Sequence, residues 1–103
     1  MSVLVTVSMR GDAKKLEQIA ADDPSRMRSI ADRGQAQGAI SHHFYATDDG
    51  EVMVIDEWPD AESFVAFFES IRGEISPLMQ DAGVTGEPAV RIWRKLQTGD
   101  GIG

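Results

Sequence analysis

The sequence has no cysteine among its 103 residues. This absence excludes disulfides, a thiolate nucleophile, cysteine-based zinc fingers and iron–sulfur clusters. Basic residues are also scarce, ten against 17 acidic ones, and the net charge of −7 offers no basic patch. We therefore expect neither nucleic acid nor an anionic membrane as a partner. No run of residues resembles a signal peptide or a transmembrane segment, so we expect a cytoplasmic protein.

Several functional motifs are missing as well. There is no glycine-rich phosphate loop, no nucleophile elbow and no dinucleotide fingerprint. Only two histidines occur, His42 and His43, and adjacent residues of a strand point to opposite faces. The pair therefore cannot chelate one metal ion together, and we predict that the protein uses no metal and no cofactor.

The apolar pattern predicts the order β, α in two pieces, β-hairpin, α, β. Asp12, Asp23 and Asp60 each precede a helical pattern as candidate N-caps. Gly73 and Pro77 are expected to separate a short turn of helix, SPLMQDAG, from the helix before it. The order predicts one α+β domain over residues 1–103, the ferredoxin-like βαββαβ fold, with a four-stranded antiparallel sheet and the helices on one face. The glycine-rich tail 97–103 is expected to be loose.

The strands suggest a partner for the second face of the sheet. The segments VLVTV, VMVI and VRIW carry apolar residues at consecutive positions, whereas a sheet with one wet face alternates more cleanly. Helices account for only one face. We therefore predict a homodimer in which two sheets pack face to face.

The two histidines lie in a predicted hairpin whose turn contains Asp49-Gly50, a strong type I′ signal. A two-residue loop would pair His43 with Asp56 and His42 with Glu57, each histidine meeting an acid. A three-residue loop would change this pairing.

With the shorter loop, one polar and aromatic face would gather beside His43. Asp56 would orient the imidazole of His43 so that it accepts a proton from a phenol or an enol. The alternative is a hydrogen-bonded pair that only steadies the sheet or a dimer interface. The predicted catalytic residues are His43 and Asp56, and the predicted pocket residues are Tyr45, Trp58, Phe64, Phe67 and Phe68. The phenylalanines have the spacing of a helix face, which also suits a simple core.

A strand ending in Asp56, Glu57 and Trp58, followed by a capped helix with AESFVAFF, resembles the dimeric α/β-barrel superfamily. More narrowly, it is similar to the antibiotic-biosynthesis-monooxygenase (ABM) group, over about residues 2–96. The resemblance implies a dimer formed through the sheets and a small, mostly apolar ligand between sheet and helices. It also implies activities such as cofactor-independent oxygenation, haem degradation, or isomerase and decarboxylase chemistry. Haem degraders carry a histidine near the position of Phe67, and this chain has none there.

Three hypotheses follow. The first is a dimeric protein that binds an aromatic or polyketide-like metabolite and oxygenates it without a cofactor. The second is a non-enzymatic ligand-binding or stress-associated protein of the same superfamily. The third is an isomerase that uses the same acid–base pair. An open pocket would favour the first, whereas phenylalanines filling that space would favour the second.

Overall fold

The computed structural model describes residues 1–103 and has the predicted element order. Four antiparallel strands form one sheet in the order β2-β3-β1-β4, and the helices cover one of its faces. The ferredoxin-like βαββαβ prediction is therefore confirmed. None of the helices has the length and apolar character needed to cross a membrane. The elements are β1 (Val3–Arg10), α1 (Ala13–Asp22), α2 (Pro24–Ala36), β2 (Ser41–Ala46), β3 (Glu51–Trp58), α3 (Ala61–Asp81) and β4 (Thr85–Arg94).

Each helix begins where the sequence supplies a side-chain acceptor. The carboxylate of Asp12 accepts from the backbone N–H groups of Lys14 and Lys15, and Asp23 and Asp60 act in the same way for α2 and α3. These bonds satisfy N–H groups that have no partner within the helix. The backbone N–H of Ser63 also lowers the pKa of Asp60. The predicted N-caps are confirmed.

The last helix is one continuous element, which corrects the predicted break at Gly73 and Pro77. Ile71 and Leu78 are both almost fully buried, so the apolar stripe of α3 continues past the proline. Gly73 and Pro77 themselves are exposed, which leaves water free to solvate the carbonyl that proline cannot pair. The free energy gained by burying this stripe thus exceeds the local free-energy cost of a proline within the helix.

The hairpin loop is one residue longer than predicted. Ala46 pairs with Val52, and the backbone N–H of Thr47 donates to the carbonyl of Glu51 at 2.9 Å. Three residues, 48 to 50, therefore form the loop, and Gly50 takes a positive φ of 94°. A turn followed by a left-handed glycine is the usual form of such a loop. The Thr47 hydroxyl also bonds the Asp49 carboxylate and accepts from the Glu51 N–H.

The two faces of the sheet differ in exposure. Val5, Val7 and Val54 are buried beneath the helices. On the other face Leu4 and Trp93 keep 43% and 47% of their surfaces exposed. No helix or strand follows Arg94, and the loose tail over residues 97–103 stays a prediction.

Candidate functional site

A buried carboxylate lies at the end of β3. Asp56 is only 7% exposed, and each of its oxygens has a partner. Oδ1 lies 2.7 Å from Nδ1 of His42, and Oδ2 accepts from the indole N–H of Trp58 at 3.2 Å. Burying a carboxylate is costly unless it is hydrogen-bonded, so these two donors make this position tolerable. Alternation along the strand places Asp56 and Trp58 on the same face.

The partner of Asp56 is therefore His42, which corrects the predicted pairing with His43. The longer loop shifts the register by one residue, so that His42 lies opposite Asp56 and His43 opposite Ile55. A shift of one residue in register moves the side chains of a strand to the opposite face of the sheet. His43 lies on the open face of the sheet, away from the helices.

The contact with Asp56 fixes the tautomer of His42. An ionised carboxylate only accepts hydrogen bonds, so in the neutral imidazole Nδ1 carries the proton and Nε2 has a free lone pair. The His42 side chain is 38% exposed, and its ring meets Phe44 edge to face with centroids 5.3 Å apart. The arrangement presents an oriented proton acceptor, held from behind by a buried carboxylate.

A cavity of about 90 Å³ reaches this histidine. It lies between the sheet and helices α2 and α3, and most of its lining is apolar. His42, Asp56 and Trp58 contribute to its wall from the sheet. The cavity therefore joins an apolar space to one polar corner, the usual character of a small-molecule site.

Aromatic rings form the helix side of the cavity. The Trp58 ring lies 5.4 Å from Phe67 and 6.0 Å from Phe64, between centroids. Phe68 stacks on Phe64 at 5.5 Å. The three phenylalanines line the cavity, and they also belong to the packed core or lie against it.

The position of Phe67 depends on a close approach by α2. A Cβ atom added at Gly34 would lie 3.2 Å from Cζ of Phe67, tighter than an ordinary contact. Gly34 lies within α2, which continues to Ala36, and it is buried. Its role is to let the Phe67 ring lie against the helix.

The structure brings together Asp56, Trp58 and the three phenylalanines, but it separates Tyr45 from them. Tyr45 pairs with Met53 on the open face and is 54% exposed, so its predicted place in the pocket is wrong. The sequence-based prediction paired His42 with Glu57 and did not include His42 among the site residues. The signal that could have corrected this is Thr47, whose side chain suits a longer turn. His, Asp and Glu side chains nowhere gather in a group of three that could hold a metal ion.

No protein-family model matches the sequence, and no curated protein matches it. Solved structures do match. A conserved protein from Methanosarcina mazei Go1 has a TM-score of 0.68 at 19% identity, covering 93% of this chain and 94% of that one. A dimeric ferredoxin-like protein from an uncultured marine organism has a TM-score of 0.66 at 16% identity, covering 93% and 89%.

A third solved structure carries a functional name. It is a proposed antibiotic biosynthesis monooxygenase from Bordetella bronchiseptica, with a TM-score of 0.63 at 13% identity, covering 92% of this chain and 97% of that one. Identities this low speak for the fold and not for the reaction. The chain thus has the ferredoxin-like fold found in proteins named as antibiotic biosynthesis monooxygenases, as the ABM-like resemblance implied.

Proposed function

We propose that this protein binds a small aromatic molecule in the cavity and that Nε2 of His42 removes an acidic proton from it. The observation that carries the proposal is the chain of contacts from Trp58 through Asp56 to His42 at the wall of an apolar cavity. The neighbouring carboxylate stabilises the imidazolium that forms when the proton arrives. Removing water from such a site strengthens each of these interactions.

The volume of the cavity limits the ligand. An engineered protein cavity of about 150 Å³ holds one benzene ring. The present cavity, at about 90 Å³, is smaller, so a single ring enters only when lining side chains move. A substituted phenol or hydroquinone fits this limit better than a molecule of several fused rings.

The reaction we propose is oxygenation without a cofactor. Hydroquinone that loses a phenolic proton to His42 becomes an electron-rich anion, which O2 can oxidise directly. One oxygen atom is added to a ring carbon as a hydroxyl and the other is released as water, so that hydroquinone and O2 give hydroxybenzoquinone and water. The atoms and electrons balance without a further reductant. Solved structures of the same fold that are named as monooxygenases support this choice.

Isotopically labelled O2 supplied with hydroquinone tests the reaction. We expect the protein to consume O2 faster than buffer alone, and we expect one labelled oxygen atom in the quinone product by mass spectrometry. A product without label, formed together with hydrogen peroxide, would contradict oxygenation. Consumption equal to that of buffer would contradict the enzyme proposal for this substrate class.

A second candidate is ligand binding without reaction. The observation that favours it is the small size of the cavity, which leaves little room for O2 beside a bound ring. In that case phenol would bind, and hydroquinone would bind equally well without any consumption of O2. The same labelled-oxygen experiment, combined with calorimetry, therefore separates the two candidates.

We propose further that two copies of the chain pair through their open sheet faces. On this face the guanidinium of Arg91 lies over the Trp93 ring, 5.6 Å from the ring centroid. The indole N–H of Trp93 donates to the Thr6 hydroxyl at 2.9 Å. Leu4, Tyr45 and Trp93 are all exposed there. A second copy is the economical cover for such a face. One solved structure of this fold is described as dimeric.

Sedimentation tests the dimer. At micromolar concentration we expect twice the 11.2 kDa mass of one chain. Leu4→Arg should shift the mass to that of the monomer, because it places a charge within the proposed interface. Val65→Arg is the matched control, since Val65 has a similar exposure of 48% but lies on helix α3. A monomeric wild type, or equal effects of the two substitutions, would contradict this interface.

A further inference from the structure

A larger space lies directly beside the cavity. A groove of about 630 Å³ runs between α3 and β4. Cavity and groove share four lining residues, Phe68, Ile75, Met79 and Pro88. All four are half-buried, as expected for side chains with the cavity on one side and the open groove on the other. These four side chains therefore form a boundary between the two spaces.

Met79 is the member of this partition that can move. The β-branched side chain of Ile75 and the ring of Pro88 have few accessible conformations. Phe68 is held on one side by stacking on Phe64. The guanidinium of Arg72 also lies over the Phe68 ring, 6.0 Å from the ring centroid. Methionine is unbranched, with three rotatable side-chain bonds, and adapts to irregular spaces.

We propose that Met79 is a movable partition that sets the length of the ligand, an inference that rests on the proposed function and deepens it. With Met79 in place, the cavity accepts at most one ring. When Met79 turns aside, the cavity continues into the groove, whose volume falls within the range of about 300–1,000 Å³ seen for ligand pockets. The site then has an inner compartment beside His42 and an outer one beside β4.

The lining of the outer compartment defines the ligand class. Val84 and Val90 are apolar, whereas Arg72, Gln80 and Glu87 are polar or charged, so the lining of the groove is mixed. A matching ligand has a phenolic head for the inner compartment and, for the groove, an extended substituent such as a second ring, which can lie against Val84 and Val90.

Calorimetric titration with phenol and with 4-phenylphenol tests the partition. The two probes share the phenolic head, and only the second carries a further ring along its axis. Met79→Ala removes the side chain that must move, so we expect the affinity for 4-phenylphenol to rise about 2- to 10-fold relative to the affinity for phenol. Met79→Ile keeps the bulk but is stiff, so we expect 4-phenylphenol to bind more weakly by a similar factor.

Met27→Ala is the matched control. Met27 is a half-buried methionine that lines the cavity from α2 but not the groove. We expect it to change the affinity for both probes together, because it enlarges the cavity without joining the two spaces. The proposal is overturned if Met27→Ala gives the same preference for the longer probe, or if both Met79 variants affect the two probes equally.

Binding is measured here without turnover, so the partition and the oxygenation can fail separately. Met79 variants that leave the relative affinity for phenol and 4-phenylphenol unchanged would count against the partition alone. The expected change in relative affinity, together with an absence of O2 consumption, would support the partition and contradict the reaction.

Discussion

Trp58→Ala is expected to lower the free energy of unfolding by about 4 kcal/mol, within the range for removing a buried large aromatic side chain. Trp58 has no exposed surface and packs against Phe64 and Phe67. The substitution opens a hole at the junction of sheet and helix, and it also removes one of the two hydrogen-bond partners of buried Asp56. A small domain has only about 5–15 kcal/mol of stability, so the variant should lie close to the unfolding threshold.

Trp58→Phe separates the two contributions. It keeps most of the packing but loses the indole N–H, so we expect a smaller loss of about 1–3 kcal/mol, the usual cost of leaving a buried polar group without a partner. Urea unfolding followed by circular dichroism gives both values. A loss below about 1 kcal/mol for Trp58→Ala would show that Trp58 is not a core anchor, since buried Trp→Ala changes cost about 3–5 kcal/mol.

Much of the fold could be predicted from local features of the sequence. Asp12, Asp23 and Asp60 supply side-chain acceptors at the starts of their helices, and this local bond needs no knowledge of the rest of the chain. The spacing of Phe64, Phe67 and Ile71 likewise assigns a buried face to α3. Such features depend on neighbours within a few residues.

The predicted hairpin register was wrong by one residue, because the loop has three residues and not two. Both a two-residue and a three-residue loop can use a glycine with positive φ, so Gly50 alone does not distinguish them. The bonds of Thr47 and the donation from Arg10 to the carbonyl of Asp49 at 2.8 Å favour the longer loop. Arg10 is distant in sequence, and its contribution becomes visible only in the folded chain.

Two other features of the site arise from tertiary packing. Helix α3 continues through Pro77 because Leu78 is buried beyond it, a gain that local propensity does not contain. Phe67, which lines the cavity, rests against Gly34 on a different helix. No local pattern in the sequence reports that contact.

His42→Ala is expected to reduce the rate of O2 consumption with hydroquinone by about 10²- to 10⁴-fold, the usual contribution of a positioned acid or base. The side chain supplies the only imidazole on the cavity wall. Its removal leaves the deprotonation of substrate to water. Stability should change less than in Trp58→Ala, because His42 is partly exposed and Trp58 is fully buried.

Asp56→Asn tests how the carboxylate acts on His42. Trp58 offers only an N–H, so the oxygen of the introduced amide would turn towards it and the amide NH2 towards Nδ1 of His42. The imidazole would then carry its proton on Nε2, where it can no longer accept one from substrate. We expect a loss of rate comparable to that of His42→Ala, with substrate affinity largely retained. An unchanged rate would show that the tautomer has no role.

The most direct test of the central claim compares His42→Ala with His43→Ala in the same O2-consumption assay. The two residues are neighbours of the same type, but His42 pairs with Asp56 at the cavity and His43 pairs with Ile55 on the open face. We predict that His42→Ala loses about 10²-fold or more of the rate and that His43→Ala keeps it within about twofold. Equal rates for His42→Ala and wild type, or a larger loss in His43→Ala, would contradict the assignment of His42 as the base.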